Sequence, residues 1–386
     1  MSTLKVNAIS DAAGANGNAI TLATDGTCTA KVTNNLSNRN LIINGAMKVA
    51  QRGTAASSAL NGWSTTGSPD RFNMDSNLAS LTGTQSQDTE SPDGFTRSFK
   101  VNLTGNTGAM GATEYISIRH KIEAQDLQHL KNGTSGALST TLSFWVRSPV
   151  TGAHCVRIRK EDNTAREITD TYTVSSANTW EHKSLTFPGD TAGGGIDDNY
   201  GTGFQISWCL GAGSNYTSTD STSWIDAVTA GQFYGHTATV TSQTGAFYLT
   251  GVQFEVSDYP TEFEHRKFQD ELYNCQRYYQ QVGTTTQDGQ FCIGASHLTS
   301  AGDQTRVGYF GQNNLRTTPA ITEFGDGLRV IGSGSNTPVT GISDINVTSG
   351  SAYLQFNAEC TDIGDDNEIV VVTNTANGGI RISAEL

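Results

Sequence analysis

The sequence predicts an all-β protein: a jelly-roll β-sandwich and a smaller C-terminal β domain, joined by one short helix. Three observations predict it. Apolar and polar residues alternate through many short runs, which is the period of half-buried antiparallel strands. The chain of 386 residues holds 42 Gly against 7 Pro and is rich in Thr, Ser and Asn, so tight polar turns are favoured over long helices. Aromatic residues make up 8% of the chain and recur along it, unlike in disordered sequences.

Residues 1–40 are a segment apart. No aromatic residue precedes Trp63. Short alternating pieces, at residues 4–9 and 19–22, are broken by Gly14, Gly17 and Gly26. Such pieces carry too little apolar bulk for a core of their own. The segment is either disordered or ordered by winding with copies of itself or docking on a partner; attachment and oligomerisation is the expected role.

Residues 41–265 read as one large β domain. Strands are expected at 40–47, 114–120, 140–147, 153–160, 170–174, 180–187, 204–210 and 246–256. In the third of these, Leu142, Phe144 and Val146 share one face, while Thr141, Ser143, Trp145 and Arg147 share the other. In the seventh, Phe204, Ile206, Trp208 and Leu210 point one way, so Trp208 is expected in the core. About eight strands with polar turns point to two packed sheets. A helical turn is expected at 123–130, ended by Asn132 and Gly133.

A connecting segment, residues 266–283, carries the best helical pattern. Phe268, Leu272, Cys275 and Tyr279 lie 4, 3 and 4 residues apart, on one stripe. A helix of about four turns is marginal alone. Its stripe is expected to pack either on a domain of its own chain or on copies in an oligomer. Residues 284–386 alternate again at 291–293, 305–310, 327–331, 352–356 and 368–373, which predicts a compact second β domain.

Charge narrows the function. With 24 Lys and Arg against 37 Asp and Glu, the net charge is −13. Nucleic acid, whose phosphates need Lys and Arg, is not an expected partner. No basic-then-apolar leader and no membrane-length apolar run is visible, so neither a signal peptide nor membrane insertion is expected. The six cysteines, at 28, 155, 209, 275, 292 and 360, form no CxxC pair and read as buried thiols of a protein made in a reducing cytoplasm.

Catalytic patterns do not emerge. There is no HExxH, no GxSxG and no P-loop. Gly193-Gly194-Gly195 lacks the lysine that a phosphate cradle needs. Carboxylate pairs such as Glu114 with Asp126, or Glu161 with Asp162, have nothing in the sequence to set them across a sugar. Acidic runs at 197–199 and 362–368 offer oxygens that could bind calcium, but neither matches the EF-hand spacing, and solvated turns are the simpler reading. The expectation is no enzyme, no cofactor and no metal.

Several motifs carry a resemblance. They are Leu41-Ile42-Ile43-Asn44-Gly45-Ala46-Met47-Lys48-Val49-Ala50-Gln51-Arg52-Gly53 with Asp70-Arg71-Phe72, then Leu142-Ser143-Phe144-Trp145-Val146-Arg147-Ser148, then Thr250-Gly251-Val252-Gln253-Phe254-Glu255-Val256 with Thr261-Glu262-Phe263-Glu264-His265-Arg266. Glu271-Leu272-Tyr273-Asn274-Cys275-Gln276-Arg277-Tyr278-Tyr279, the opening Ser2-Thr3-Leu4-Lys5-Val6-Asn7 and Leu315-Arg316-Thr317-Thr318-Pro319 complete the set. Together they resemble tail-fibre and minor virion proteins of marine, cyanophage-like short-tailed bacteriophages. The large domain is also similar to carbohydrate-binding modules. The resemblance implies a structural virion protein, most simply a tail fibre or appendage in host attachment. Other readings are a particle-stabilising decoration protein and a glycan-degrading tailspike. Implied partners are a homo-oligomer, favouring a trimer, other tail proteins met through residues 1–40, and host-surface glycan.

A glycan site needs an exposed aromatic face beside groups that bond hydroxyls. Trp145 points away from the core face of its strand. Tyr200, Tyr216 and Trp224 lie in polar loops, where binding groups concentrate. These four are the sequence's candidates.

Overall fold

The computed structural model describes residues 8–10, 18–22, 28–30, 38–55, 67–78, 82–105, 110–241, 244–284, 292–300, 302–309, 315–325, 327–332, 335–347, 354–363, 369–373 and 378–385. It is an all-β protein with a two-sheet sandwich and a smaller β domain, as the alternation predicts. The first strands, β1 (Ala8–Ser10), β2 (Asn18–Leu22) and β3 (Cys28–Ala30), form a three-stranded antiparallel sheet. The side chains of residues 1–37, on which the attachment role chiefly depends, lie outside the described residues; Arg39 and Asn40, at the end of that segment, are bonded to the body of the same chain, through Thr261 and the Val252 carbonyl.

The sandwich is built from β4 (Phe72–Ser76), β5 (Gly83–Asp88), β6 (Ser98–Leu103), β7 (Tyr115–Glu123), β8 (Thr140–Arg147), β9 (Gly152–Lys160), β10 (Arg166–Val174), β11 (Glu181–Phe187), β12 (Thr202–Ala212), β13 (Ile225–Asp226) and β14 (Ala246–Val256). One sheet runs β13-β10-β9-β12-β7-β4, and the other β11-β8-β14-β6-β5. Their inner faces meet in one apolar core. Phe99, Val101, Leu142, Phe144, Val146, Phe247, Leu249 and Phe254 come from one sheet; Phe72, Ile116, Ile118, Val156, Ile158, Phe204, Ile206 and Trp208 come from the other. Trp208 is fully buried, and a side chain of this size contributes several kcal/mol, ~1.5–3 or more, by leaving water. Trp180 lies half-buried outside the core against Tyr248, with its Nε1 donating to Glu90.

Residues 40–47 are not a strand. They form a turn in which Asn44 and Met47 have φ of 61° and 57°. The Asn44 side chain holds it: its amide donates to the Val49 and Asp70 carbonyls, both at 2.9 Å, and its oxygen accepts the Val49 N–H at 3.0 Å. The turn expected at 123–130 is a 3-10 helix, Ala124–Leu130, closed by left-handed Lys131.

The helix is shorter than its sequence pattern. α1 spans Phe268–Gln276, and Tyr279 belongs to the strand that follows, β15 (Tyr279–Thr284). The stripe therefore divides. Cys275 and Tyr279 are 0% and 2% exposed within their own chain and are closed to any partner, whereas Phe268 is 53% exposed and Leu272 half-buried.

The C-terminal domain contains β16 (Cys292–Ser300), β17 (Gly302–Tyr309), β18 (Ala320–Gly325), β19 (Leu328–Gly332), β20 (Ser335–Pro338), β21 (Gly341–Val347), β22 (Leu354–Ile363), β23 (Ile369–Thr373) and β24 (Gly378–Ser383). Its sheets run β15-β24-β18 and β20-β19-β23-β16-β17-β22-β21. The junction with the sandwich is polar. Arg71 and Arg52 both pair with Glu385, and their guanidinium groups lie 3.4 Å and 3.6 Å over the rings of Tyr278 and Tyr279. Arg277 holds Glu123 with two bonds, at 2.7 and 2.8 Å. Arg316 donates to the carbonyls of Tyr200, Ala384 and Glu385.

Candidate functional site

A cleft of about 770 Å³ opens on the outer face of the five-stranded sheet. Its floor follows from the pattern of β8. Because Leu142, Phe144 and Val146 turn into the core, Ser143 and Trp145 must turn out. On the neighbouring strand β11, His182 pairs in register with Trp145, and the two ring centres are 5.3 Å apart.

On the other side, β14 bulges. Thr250 pairs with Trp145 and Gln253 with Ser143, so two residues, Gly251 and Val252, oppose one. The extra residue lets Val252 enter the core and leaves Gly251 on the floor with a φ of 61°. A Cβ there would sit 2.7 Å from Phe95 Cζ and 2.9 Å from Trp145 Cδ1. Glycine is what permits both rings to approach the strand.

Two loops wall the cleft. The first is a turn at 92–95, in which the Phe95 N–H donates to the Pro92 carbonyl at 3.1 Å and Gly94 has a φ of 88°. It carries Asp93 and Phe95. The second is a strap, residues 257–265, fastened by two buried side chains of β14. Gln253 accepts the Glu264 N–H at 2.8 Å and donates to Thr261 and Glu262. Glu255 accepts the Thr261 N–H at 2.9 Å and its hydroxyl at 2.7 Å. Arg39 adds a 2.8 Å bond to the same hydroxyl. The loops meet through their rings: Phe95 is 5.0 Å from Phe263 and 5.3 Å from His265, centre to centre.

The electrostatics are one-sided. Asp93 and Glu262 are exposed on the rim. Burial lowers the His182 pKa, against the pull of Glu262, and burial with nearby Lys48 lowers that of His265. Both imidazoles are therefore neutral near pH 7 and offer one donor and one acceptor each. Aromatic faces, a serine hydroxyl, two imidazoles and two carboxylates suit a ligand with C–H-rich faces and many hydroxyls.

Of the four sequence candidates, Trp145 alone lies in this cleft. Tyr200 is 56% exposed, but it sits at the domain junction, where the Arg316 guanidinium lies 6.0 Å over its ring. Tyr216 is only 9% exposed, corrected from loop surface to loop core: it packs on Tyr115, and its hydroxyl accepts from Asn77 at 2.7 Å and donates to the Thr113 carbonyl at 3.0 Å. That leaves no ring face for a ligand. Trp224 stacks on Phe204, with its Nε1 donating to the Pro188 carbonyl at 2.7 Å. The sequence reading missed Phe95, His182, Phe263 and His265. The signal for the first was the Pro92-Asp93-Gly94 signature, which predicts a turn just before Phe95.

Among the described residues, no group of three or more His, Cys, Asp or Glu is gathered to hold a metal ion. Part of the acidic run at 362–368 lies outside them. No helix among them is long and apolar enough to cross a membrane.

No protein-family model matches the chain, and no curated protein matches its sequence. Solved structures do match. One is the enzymatically active domain of tailspike protein 4 of bacteriophage CBA120, at 12% identity and TM-score 0.32; the match covers 57% of this chain and 22% of that one. A sugar-binding protein described as putative, from Bacteroides thetaiotaomicron, gives 11% identity and TM-score 0.31 over 56% of this chain and 100% of that one. The C-terminal family 22 carbohydrate-binding module of Clostridium thermocellum Xyn10B gives 12% and 0.28, over 50% and 92%. The chain thus spans under a quarter of the tailspike's length, and TM-scores this low decide neither fold nor function.

Proposed function

We propose that this chain is a structural protein of a bacteriophage particle, a tail fibre or similar appendage, that engages host-surface glycan through the Trp145 cleft. One observation carries the glycan part. The cleft places Trp145, Phe95 and Phe263 beside His182, Ser143, Asp93 and Glu262, an apolar floor with polar arms around it. The virion part is supported by the ordered phage-like motifs along the chain. In this reading the protein acts without catalysis, works as a homo-oligomer, favouring a trimer, and joins other tail proteins through residues 1–40.

The test is a glycan array of host-envelope polysaccharides probed with the full chain and with Trp145→Ala. The expected result is binding to a defined set of glycans, weakened at least ~tenfold by the substitution. An unchanged circular dichroism spectrum would show the fold intact. Equal binding by both proteins would remove the cleft from the function, and silence across the array would remove the glycan.

A further inference from the structure

We infer that the Trp145 cleft selects uncharged or amine-bearing glycans and turns away acidic ones. This rests on the glycan-binding reading above. The cleft's lining includes no Lys or Arg, and its two ionisable acids, Asp93 and Glu262, are both exposed. They enter on different walls, one on the 92–95 turn and one on the 257–265 strap. A glycan entering the cleft therefore meets two exposed carboxylates and no lining cation.

Three cations near the cleft are engaged by other groups. Lys183 follows His182 on β11, so alternation turns it to the opposite face, where it binds Glu181 at 2.6 Å. Arg147 lies two residues beyond Trp145, but its Nε donates to the Asn178 carbonyl at 2.9 Å and its guanidinium lies 5.1 Å over Tyr248. Arg39 is held by the strap, on the Thr261 hydroxyl, the Glu262 carbonyl and, at 3.5 Å, Glu255. Lys48, beside His265, is not among the lining residues. The two imidazoles are neutral and add no positive charge. A uronate or sulfate ester would enter a negative site on a chain of net charge −13. Each carboxylate approached within about 6 Å costs on the order of tenfold in affinity at intermediate dielectric, and a protonated amine gains by the same rule.

The experiment compares neutral, amine-bearing and acidic glycans on one array at low ionic strength, using the full chain and the Asp93→Asn/Glu262→Gln double variant. The expected hits of the unaltered chain are neutral or amine-bearing. In the double variant the ratio of acidic to neutral binding rises roughly tenfold or more. Acidic glycans bound by the unaltered chain as tightly as neutral ones, and lost with Trp145→Ala, would overturn the selectivity while leaving glycan binding standing. A ratio unmoved by the double variant would overturn it too. Silence across all three classes would overturn both readings together.

Discussion

Gly251 is the residue on which the cleft's shape depends. Its φ of 61° lies in the left-handed region, and its missing side chain is the space into which Phe95 and Trp145 lean. Substitution by alanine meets two penalties, about 1–2 kcal/mol for the backbone and a steric clash with two rings. Gly251→Ala is expected to lower stability by about 1–3 kcal/mol in urea unfolding and to cost more in glycan affinity than that loss alone explains. Full affinity in the variant would show that the rings do not need to close over the strand. Trp145 was legible in the sequence because strand alternation tells which side chains face out. Its partners were not, because Phe95 and Phe263 come from loops more than 160 residues apart, and a period of two says nothing of what folds over a sheet.

At the scale of elements, the strap at 257–265 is a loop made rigid by a strand. Gln253 and Glu255 occupy outward positions of β14, yet both are buried, at 0% and 2% exposure, because the strap lies on them. Replacing Gln253 with leucine leaves the Glu264 N–H and the strap carbonyls without their partner, each at a cost of about 1–3 kcal/mol. The expected outcome is faster proteolytic cleavage within 257–265 and weaker glycan binding, with the sandwich core still cooperatively folded. Unchanged cleavage would mean that Glu255 and Arg39 hold the strap unaided. The strands with strong apolar alternation were readable, β8, β12 and β14 above all. The strands missed in the sandwich are β4, β5, β6 and the two-residue β13: β5, Gly83-Thr84-Gln85-Ser86-Gln87-Asp88, has no apolar side chain beyond its threonine methyl to signal a face, whereas β6 does alternate, through Phe99, Val101 and Leu103, and was overlooked. The run at 40–47 failed in the opposite sense: Leu41, Ile42 and Ile43 suggested a strand, but Asn44 bonded the chain into a turn. The helix was overread because Tyr279, although in phase with the stripe, pairs with Ser383 of β24.

For the whole molecule, acid is the informative stress. Residues of three of the motifs meet at the junction, where Arg52 and Arg71 hold Glu385, Arg277 holds Glu123 and Arg316 bonds the carbonyls of Ala384 and Glu385. Burial raises the pKa of both carboxylates, but the guanidinium groups outweigh it and hold them below the usual range. Their contribution is therefore present above about pH 4.5 and lost as pH falls through the folded value. Asp70 and Asp75 act in the opposite direction, since burial raises them despite Arg52 and Arg119. The histidines act at milder pH. Burial lowers His120, helped by Arg71; it lowers His154; and it brings His236 to about 3, helped by His154. Between the unfolded value near 6.5 and these folded values, the unfolded chain binds protons that the folded chain does not. Stability must fall as pH is lowered through that window, by about 1.4 kcal/mol per pH unit for each histidine fully in it. His236→Asn is the test, because the asparagine oxygen can replace Nδ1 as acceptor of the Cys155 N–H. Urea unfolding between pH 6.5 and 4.5 should show a steep loss for the unaltered chain and a slope about one proton shallower for the variant. Equal slopes would mean that His236 is protonated in the folded protein, and that the buried pair it forms with His154 carries charge.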